Sequence, residues 1–202
     1  MEILLLLAVG KKHNDPIWAT AIDCRVWRSE DRGATWEPVD VPFAGQQLLA
    51  LAIAPQDSTA LLCSLTPQKN EMVLWRLQDV NGDWEQWLRQ PLSQPYAQIA
   101  PAGHRAEQSW LVLDNEVWRH TGEGWQKVKT FEQTIQRIAS NLAHDLLYVL
   151  VGQEVCYSKN GLDWASMIVP EEAGPLVDLQ VVAGDKLLAL DIKGVVWQAS
   201  SG

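Results

Sequence analysis

Three observations predict an all-β repeat fold. Tryptophan is overused, with eleven copies against two phenylalanines, as a unit that reuses one aromatic position would produce. Short apolar strands follow one another, separated by polar, proline or glycine-bearing links. A strand carrying Trp27, Trp75, Trp118, Cys156 or Trp197 returns at steps of 48, 43, 38 and 41 residues. A period of this size, with about four short strands per unit, is the pattern of a β-propeller. The expectation is one domain, 1–202, of about five blades with up to four antiparallel strands each. Approximate blades are 1–45, 46–91, 92–130, 131–172 and 173–202, the last lacking its outer strand.

The innermost strand of each unit is read at Ile3–Val9, Leu48–Ala54, Ala97–Pro101, Ile135–Ala139 and Val177–Val182. These apolar strands would line the centre of the ring. The first, within Met1–Gly10, looks briefly like a signal peptide. It lacks a positive n-region, carries Glu2 and is too short to cross a bilayer, so a buried strand is expected. Glu132–His144 also fits a helical face through Ile135, Ile138 and Leu142. Its alignment with the other first strands favours a strand.

The second strands are Ile17–Ile22, Ala60–Leu65, Ser109–Leu113, Leu146–Val151 and Lys186–Asp191. Short links such as Asp114-Asn115, Gly152-Gln153 and Lys193-Gly194 lead to the third. A further tryptophan then opens the fourth strand in the first four units: Trp36, Trp84, Trp125 and Trp164, at 9, 9, 7 and 8 residues beyond the anchor position. Proline-bearing links at Val41-Pro42-Phe43, Gln90–Pro95 and Val169–Pro175 mark the crossings between blades. The fifth unit reaches Trp197 with no fourth strand to follow. Val195, Val196 and Trp197 carry no charge to discourage pairing, so this edge is a candidate interface.

One turn carries a recognisable pattern. Ser29-Glu30-Asp31-Arg32-Gly33-Ala34-Thr35-Trp36 fits Ser-x-Asp-x-Gly-x-Thr-Trp at every fixed position. A hairpin must reverse without stranding backbone N–H and C=O groups. Asp31 can accept from N–H groups just ahead of it, and Gly33 supplies a shape that Cβ disfavours. Ser29 and Thr35 can bond across the turn, and Trp36 buries a ring beneath it. These five residues are therefore read as structural, with a metal or sugar site at Asp31 as the minor alternative. Later turns depart from the pattern. Asp79 keeps the acid while Asn81-Gly82 shifts the glycine, Thr121–Gly124 is shortened, and Ser158–Trp164 has Asn160 in place of Asp.

The first of these turns resembles the Asp-box (BNR) repeat of sialidase, sortilin and photosystem-assembly-factor propellers. The resemblance implies the propeller fold. By analogy with the assembly factors it also implies a role in building a larger complex. By analogy with sialidases it implies an arginine cluster, a nucleophilic tyrosine and acidic helpers. Those are not evident here. The tyrosines are Tyr96, Tyr148 and Tyr157, and Arg28, Arg76 and Arg119 fall on one repeat slot rather than converging.

Composition narrows the rest. The formal charge of −9 and the lack of a basic run argue against a nucleic-acid partner. Cys24, Cys63 and Cys156 are odd in number and far apart, which fits reduced thiols and a cytoplasmic protein. A Cys24–Cys156 bridge in an exported protein is the alternative. His13, His104, His120 and His144 form no metal motif, and no nucleophile elbow or phosphate loop is present. No metal or cofactor is expected. A lectin-like role would need exposed rings, and Trp87 in Trp84-Glu85-Gln86-Trp87 is the candidate glycan contact. The expected function is a non-catalytic protein-binding or scaffolding module. It would act through the open edge, through self-association, or through loops such as Lys11–Asp15 and Glu171–Pro175. Lectin-like binding and, less favoured, sialidase-like hydrolysis are the alternatives.

Overall fold

The computed structural model describes residues 4–9, 15–21, 23–54, 58–66, 68–78, 82–101, 106–141, 146–182 and 186–200. Their strands form five antiparallel sheets in chain order. The first holds β1 (Leu4–Val9), β2 (Ile17–Ala21), β3 (Val26–Ser29) and β4 (Glu37–Val39). The second holds β5 (Gln47–Ile53), β6 (Ala60–Thr66), β7 (Glu71–Leu77) and β8 (Glu85–Pro91). The third holds β9 (Ala97–Ala100), β10 (Trp110–Leu113), β11 (Glu116–His120) and β12 (Trp125–Thr130), with a 3-10 turn at Ala106–Gln108. The fourth holds β13 (Ile135–Asn141), β14 (Leu146–Val151), β15 (Glu154–Ser158) and β16 (Ala165–Met167). The last holds only β17 (Leu176–Val182), β18 (Lys186–Asp191) and β19 (Val196–Ser200). The protein is a five-bladed β-propeller whose last blade has three strands.

Residues 135–141 are strand, so the helical alternative for that stretch is excluded. Successive inner strands pack on one another, β1 on β5, β5 on β9, β9 on β13 and β13 on β17. The second strands of the middle blades are covered on both faces by neighbouring blades. This is why Ala60–Leu65 and Leu146–Leu150 are continuously buried rather than alternating. Four of the five inner strands shift register by one residue near their start: Leu4/Leu6, Leu48/Ala50, Ile135/Arg137 and Leu176/Asp178. A bulge there adds local twist, which helps each blade turn away from the ring centre.

The apolar core divides into four clusters, one at each junction between consecutive blades. Each cluster takes the second strand of both blades and the third-strand anchor of the later one. In the first three, a later tryptophan caps the cluster against an aromatic of the preceding blade. Trp84 meets Phe43 edge-on at 5.5 Å, Trp125 meets Trp87 at 5.3 Å, and Trp164 meets Phe131 at 5.1 Å. Such pairs add about 0.5–1.5 kcal/mol each beyond the area they bury. Cys24, Cys63 and Cys156 are all free thiols. Cys24 lies in a turn of the first blade and Cys156 on β15 of the fourth, so the bridge considered from the sequence is absent. Burial pushes the Cys63 thiol pKa far up, leaving it an inert core group.

Candidate interaction edge on the last blade

The turn at 29–36 uses its polar groups on itself. Ser29 Oγ donates to Asp31 Oδ1 at 2.8 Å and accepts from Gly33 N–H at 2.7 Å. Asp31 also accepts from Thr35 N–H at 2.8 Å and from Thr35 Oγ1 at 2.6 Å. Trp36 Nε1 closes the turn by donating to Gly33 C=O at 3.1 Å. Gly33 has φ +90°, a region that side chains rarely adopt. The Thr35 bonds, then the Ser29 bond, hold the Asp31 carboxyl down at about 2.

Trp87 is packed where an exposed ring was expected. It is half-buried, 4.5 Å from the His120 ring, with the Arg76 guanidinium 4.6 Å from its centroid. The link between the second and third blades carries Tyr96, which packs into the next junction core, and strand β8 supplies the aromatic at this junction instead. His120 is held beneath it. Burial lowers the His120 pKa, and Gly122 N–H donates to its Nδ1 at 3.1 Å. The repeated arginines do not converge. Arg76 bridges Glu85 and Glu107, Arg119 lies over Trp110, and Arg28 pairs with Glu30. No cluster of three His, Cys, Asp or Glu suited to a metal occurs among the described residues. His13, His104 and His144, Asp79 and Asn81, and most of the Lys11–Asp15 loop lie outside the described residues.

The last blade is built differently. Its turn 191–195 is tied by Asp191, which is 2% exposed. Oδ1 accepts from Lys193 N–H and Val195 N–H, both at 2.9 Å. Oδ2 accepts from Gly174 N–H and Trp197 Nε1, both at 3.1 Å. Burial works to raise the pKa of this carboxyl, but the hydrogen bonds from Trp197, Val195, Gly174 and Lys193 together outweigh it and leave it lowered. Asp191 thus fastens the Glu171–Pro175 link and the anchor Trp197 to one point. Sequence reasoning noticed the Lys193-Gly194 turn and missed this acid two residues upstream.

Beyond β19 no strand pairs among the described residues. The turn bond from Asp191 N–H to Val195 C=O, at 3.0 Å, sets the phase of the β18–β19 ladder. The bonded pairs are then Ala189 with Trp197 and Leu187 with Ala199. Val196 and Gln198 turn their backbone N–H and C=O groups outward. Large apolar side chains are exposed on this blade, at Val196, Val195 and Ile192, and on the preceding link at Ile168, 97% exposed. An unpaired apolar edge of this kind is a template for another strand.

No family model matches the chain, and no curated protein sequence matches it. Solved structures do. YCF48 from Cyanidioschyzon merolae superposes with a TM-score of 0.73 at 15% identity, covering 100% of this chain and 67% of that one. YCF48 bound to a D1 peptide gives 0.71 at 12% identity over 98% of this chain and 63% of that one. Both are β-propellers. At such identities the likeness shows the fold alone. The chain spans under two thirds of the peptide-bound YCF48. An enzyme also shares the fold: virginiamycin B lyase from Staphylococcus aureus gives 0.66 at 13% identity, over 99% of this chain and 73% of that one. Fold therefore does not separate binders from enzymes. No helix among the described residues is long and apolar enough to cross a membrane.

Proposed function

We propose that this propeller is a non-catalytic protein-binding module that holds its partner along the open edge of β19. The observation that carries this reading is the three-stranded last blade, with outward backbone groups at Val196 and Gln198 beside exposed Ile168, Ile192 and Val195. Main-chain pairing supplies affinity in such β-augmented complexes, and neighbouring pockets supply selectivity. YCF48, a propeller of similar fold, has been solved with a D1 peptide bound. That supports peptide capture as a use of the fold. The turn at 29–36 is read as an Asp-box in a purely structural role, because its acid, hydroxyls and indole are engaged within the hairpin.

The test is the native mass of the chain isolated gently from its own cells. A mass above one chain is expected, and Val196→Lys should reduce it to one, because a charge on an edge strand blocks pairing. A mass of one chain for the unaltered protein would overturn the reading.

A further inference from the structure

The four blade junctions are alike except in one respect. In each of the first four blades, the residue two beyond the third-strand anchor lies beneath the tryptophan that opens the fourth strand. Leu77 stands opposite Trp84 by extension of the β7–β8 ladder, and His120 is registered with Trp125. Ser29 and Ser158 take the same place below Trp36 and Trp164. All four are buried, at 1%, 3%, 6% and 2% exposure for Ser29, Leu77, His120 and Ser158. The equivalent residue in the last blade is Ala199, which is only half-buried.

Above Ala199 is a groove with a volume of about 120 Å³. Met167, Ile168 and Val169 of the fourth blade form one wall, and Ala189, Trp197 and Ala199 form the other. It occupies the place that Trp84, Trp125 and Trp164 fill in the other junctions. The size suits a ring, since a closed apolar cavity of roughly 150 Å³ takes up benzene. Its floor is continuous with the junction core around Val155 and Leu187.

We infer that this groove receives an aromatic side chain from an extended segment of another polypeptide, which pairs antiparallel with β19 and sets that ring opposite Ala199. The inference rests on the edge-binding reading above and names the chemistry of the partner. The incoming strand would repeat what the other blades do internally. Its backbone would meet the N–H and C=O groups of Val196 and Gln198. Its ring would lie across a non-hydrogen-bonded pair, where facing side chains come closest. Ala199 leaves the ring at least as much room as Leu77 and His120 leave to Trp84 and Trp125.

The probe is a peptide copying Gly124–Thr130, which holds one of the chain's own fourth strands, beside the same peptide with Trp125→Ala. Binding to the 202-residue chain is measured by calorimetry. The tryptophan peptide should bind, and the alanine peptide should bind more weakly by about tenfold or more, as truncating a buried aromatic anchor does. Gln198→Pro removes an outward N–H without touching the β18–β19 ladder, and should abolish binding of both peptides. Ala199→Asp puts a charge beneath the incoming ring and should weaken the tryptophan peptide more than the alanine one. Circular dichroism checks that each variant is folded. Equal binding of the two peptides would overturn the groove assignment while leaving the edge reading intact. Binding of neither peptide to a monomeric chain would overturn the inference, and the native-mass experiment would still decide the edge reading by itself. Binding of neither to a chain that is dimeric would also overturn it, with a second copy as the occupant.

Discussion

The turns at 29–36 and 158–164 do the same work with different acceptors. In the first, the Asp31 carboxylate collects Ser29 and both donors of Thr35. In the second, Asn160 Oδ1 collects Leu162 N–H at 2.8 Å, Asp163 N–H at 2.9 Å and Ser158 Oγ at 3.2 Å. Ser158 Oγ accepts from Gly161 N–H at 2.8 Å, as Ser29 Oγ does from Gly33. Trp164 Nε1 donates to Gly161 C=O at 2.8 Å, as Trp36 does to Gly33. What the hairpin needs is an oxygen at one position and a serine two residues before it. The charge is optional. The two turns differ more in what lies under them. The first sits at an exposed rim. The second is wedged against the third blade, where Arg119 donates to Asn160 C=O at 3.2 Å and covers Trp110.

That difference should be largest at the tryptophans. Trp164 joins the core between the third and fourth blades and meets Phe131 edge-on. Trp164 is also half-buried, but Trp164→Ala should cost about 2–4 kcal/mol in a denaturant melt, because it removes packing on a blade-junction core and an edge-on aromatic pair. Trp36 is half-buried, with its indole on its own turn. Trp36→Ala should cost about 1–2 kcal/mol, the value of partial apolar burial. Equal losses would show that the two turns are supported alike.

The glycines sharpen the same contrast. Both are left-handed, Gly33 at φ +90° and Gly161 at φ +77°. At Gly33 an added Cβ would find its nearest neighbour, Trp36 Cζ2, at 3.7 Å. At Gly161 it would come within 2.8 Å of the Trp110 ring and 2.9 Å of Val128 Cγ2. Gly33→Ala should therefore cost only the backbone penalty, about 1–2 kcal/mol. Gly161→Ala adds overpacking against a fully buried ring and should cost about 2–4 kcal/mol in the same melt. A Gly161→Ala loss no larger than that of Gly33→Ala would mean that the third blade yields to the fourth.

The strand ladder was legible because one anchor position recurs five times, as tryptophan in four units and as Cys156 in the other. The second tryptophan of the first four units likewise marked the fourth strands, even where Asn160 stands for an acid. The inner-strand bulges left no mark, because Leu48, Ile135 and Leu176 look like any apolar strand residue. Trp87 misled because an exposed ring was expected of it. Trp84 packs into the core on one face of the second blade and Trp87 into the core on the other, because neighbouring blades cover both faces. Asp191 was missed because one acid before a glycine turn is common in sequence. Only folding brings Gly174 and Trp197 to it. The groove above Ala199 was illegible for a similar reason, since alanine in a strand does not say what lies opposite.

Acid should separate the two turns last and most finely. The Asp31 pKa falls from its ordinary 3.8 to about 2 in the folded chain, chiefly through Thr35. A carboxyl depressed by folding stabilises above its unfolded pKa, and that contribution is lost as pH falls from 3.8 toward 2. Asn160, which stands in the place of Asp31, does not titrate. Carboxyl NMR should place the Asp31 titration near 2, and Trp36 should report loosening of its turn over the same interval before Trp164 responds. Asp31→Asn keeps one acceptor oxygen and gives up the bond from Thr35 Oγ1. It should lower stability at neutral pH and flatten the acid dependence. Asp191, also lowered, continues to titrate in that variant, so some slope remains. An Asp31 titration at or above 3.8 would mean that Thr35 does not clasp the acid in solution, and the first turn would then be held, like the second, by an uncharged oxygen's worth of bonding.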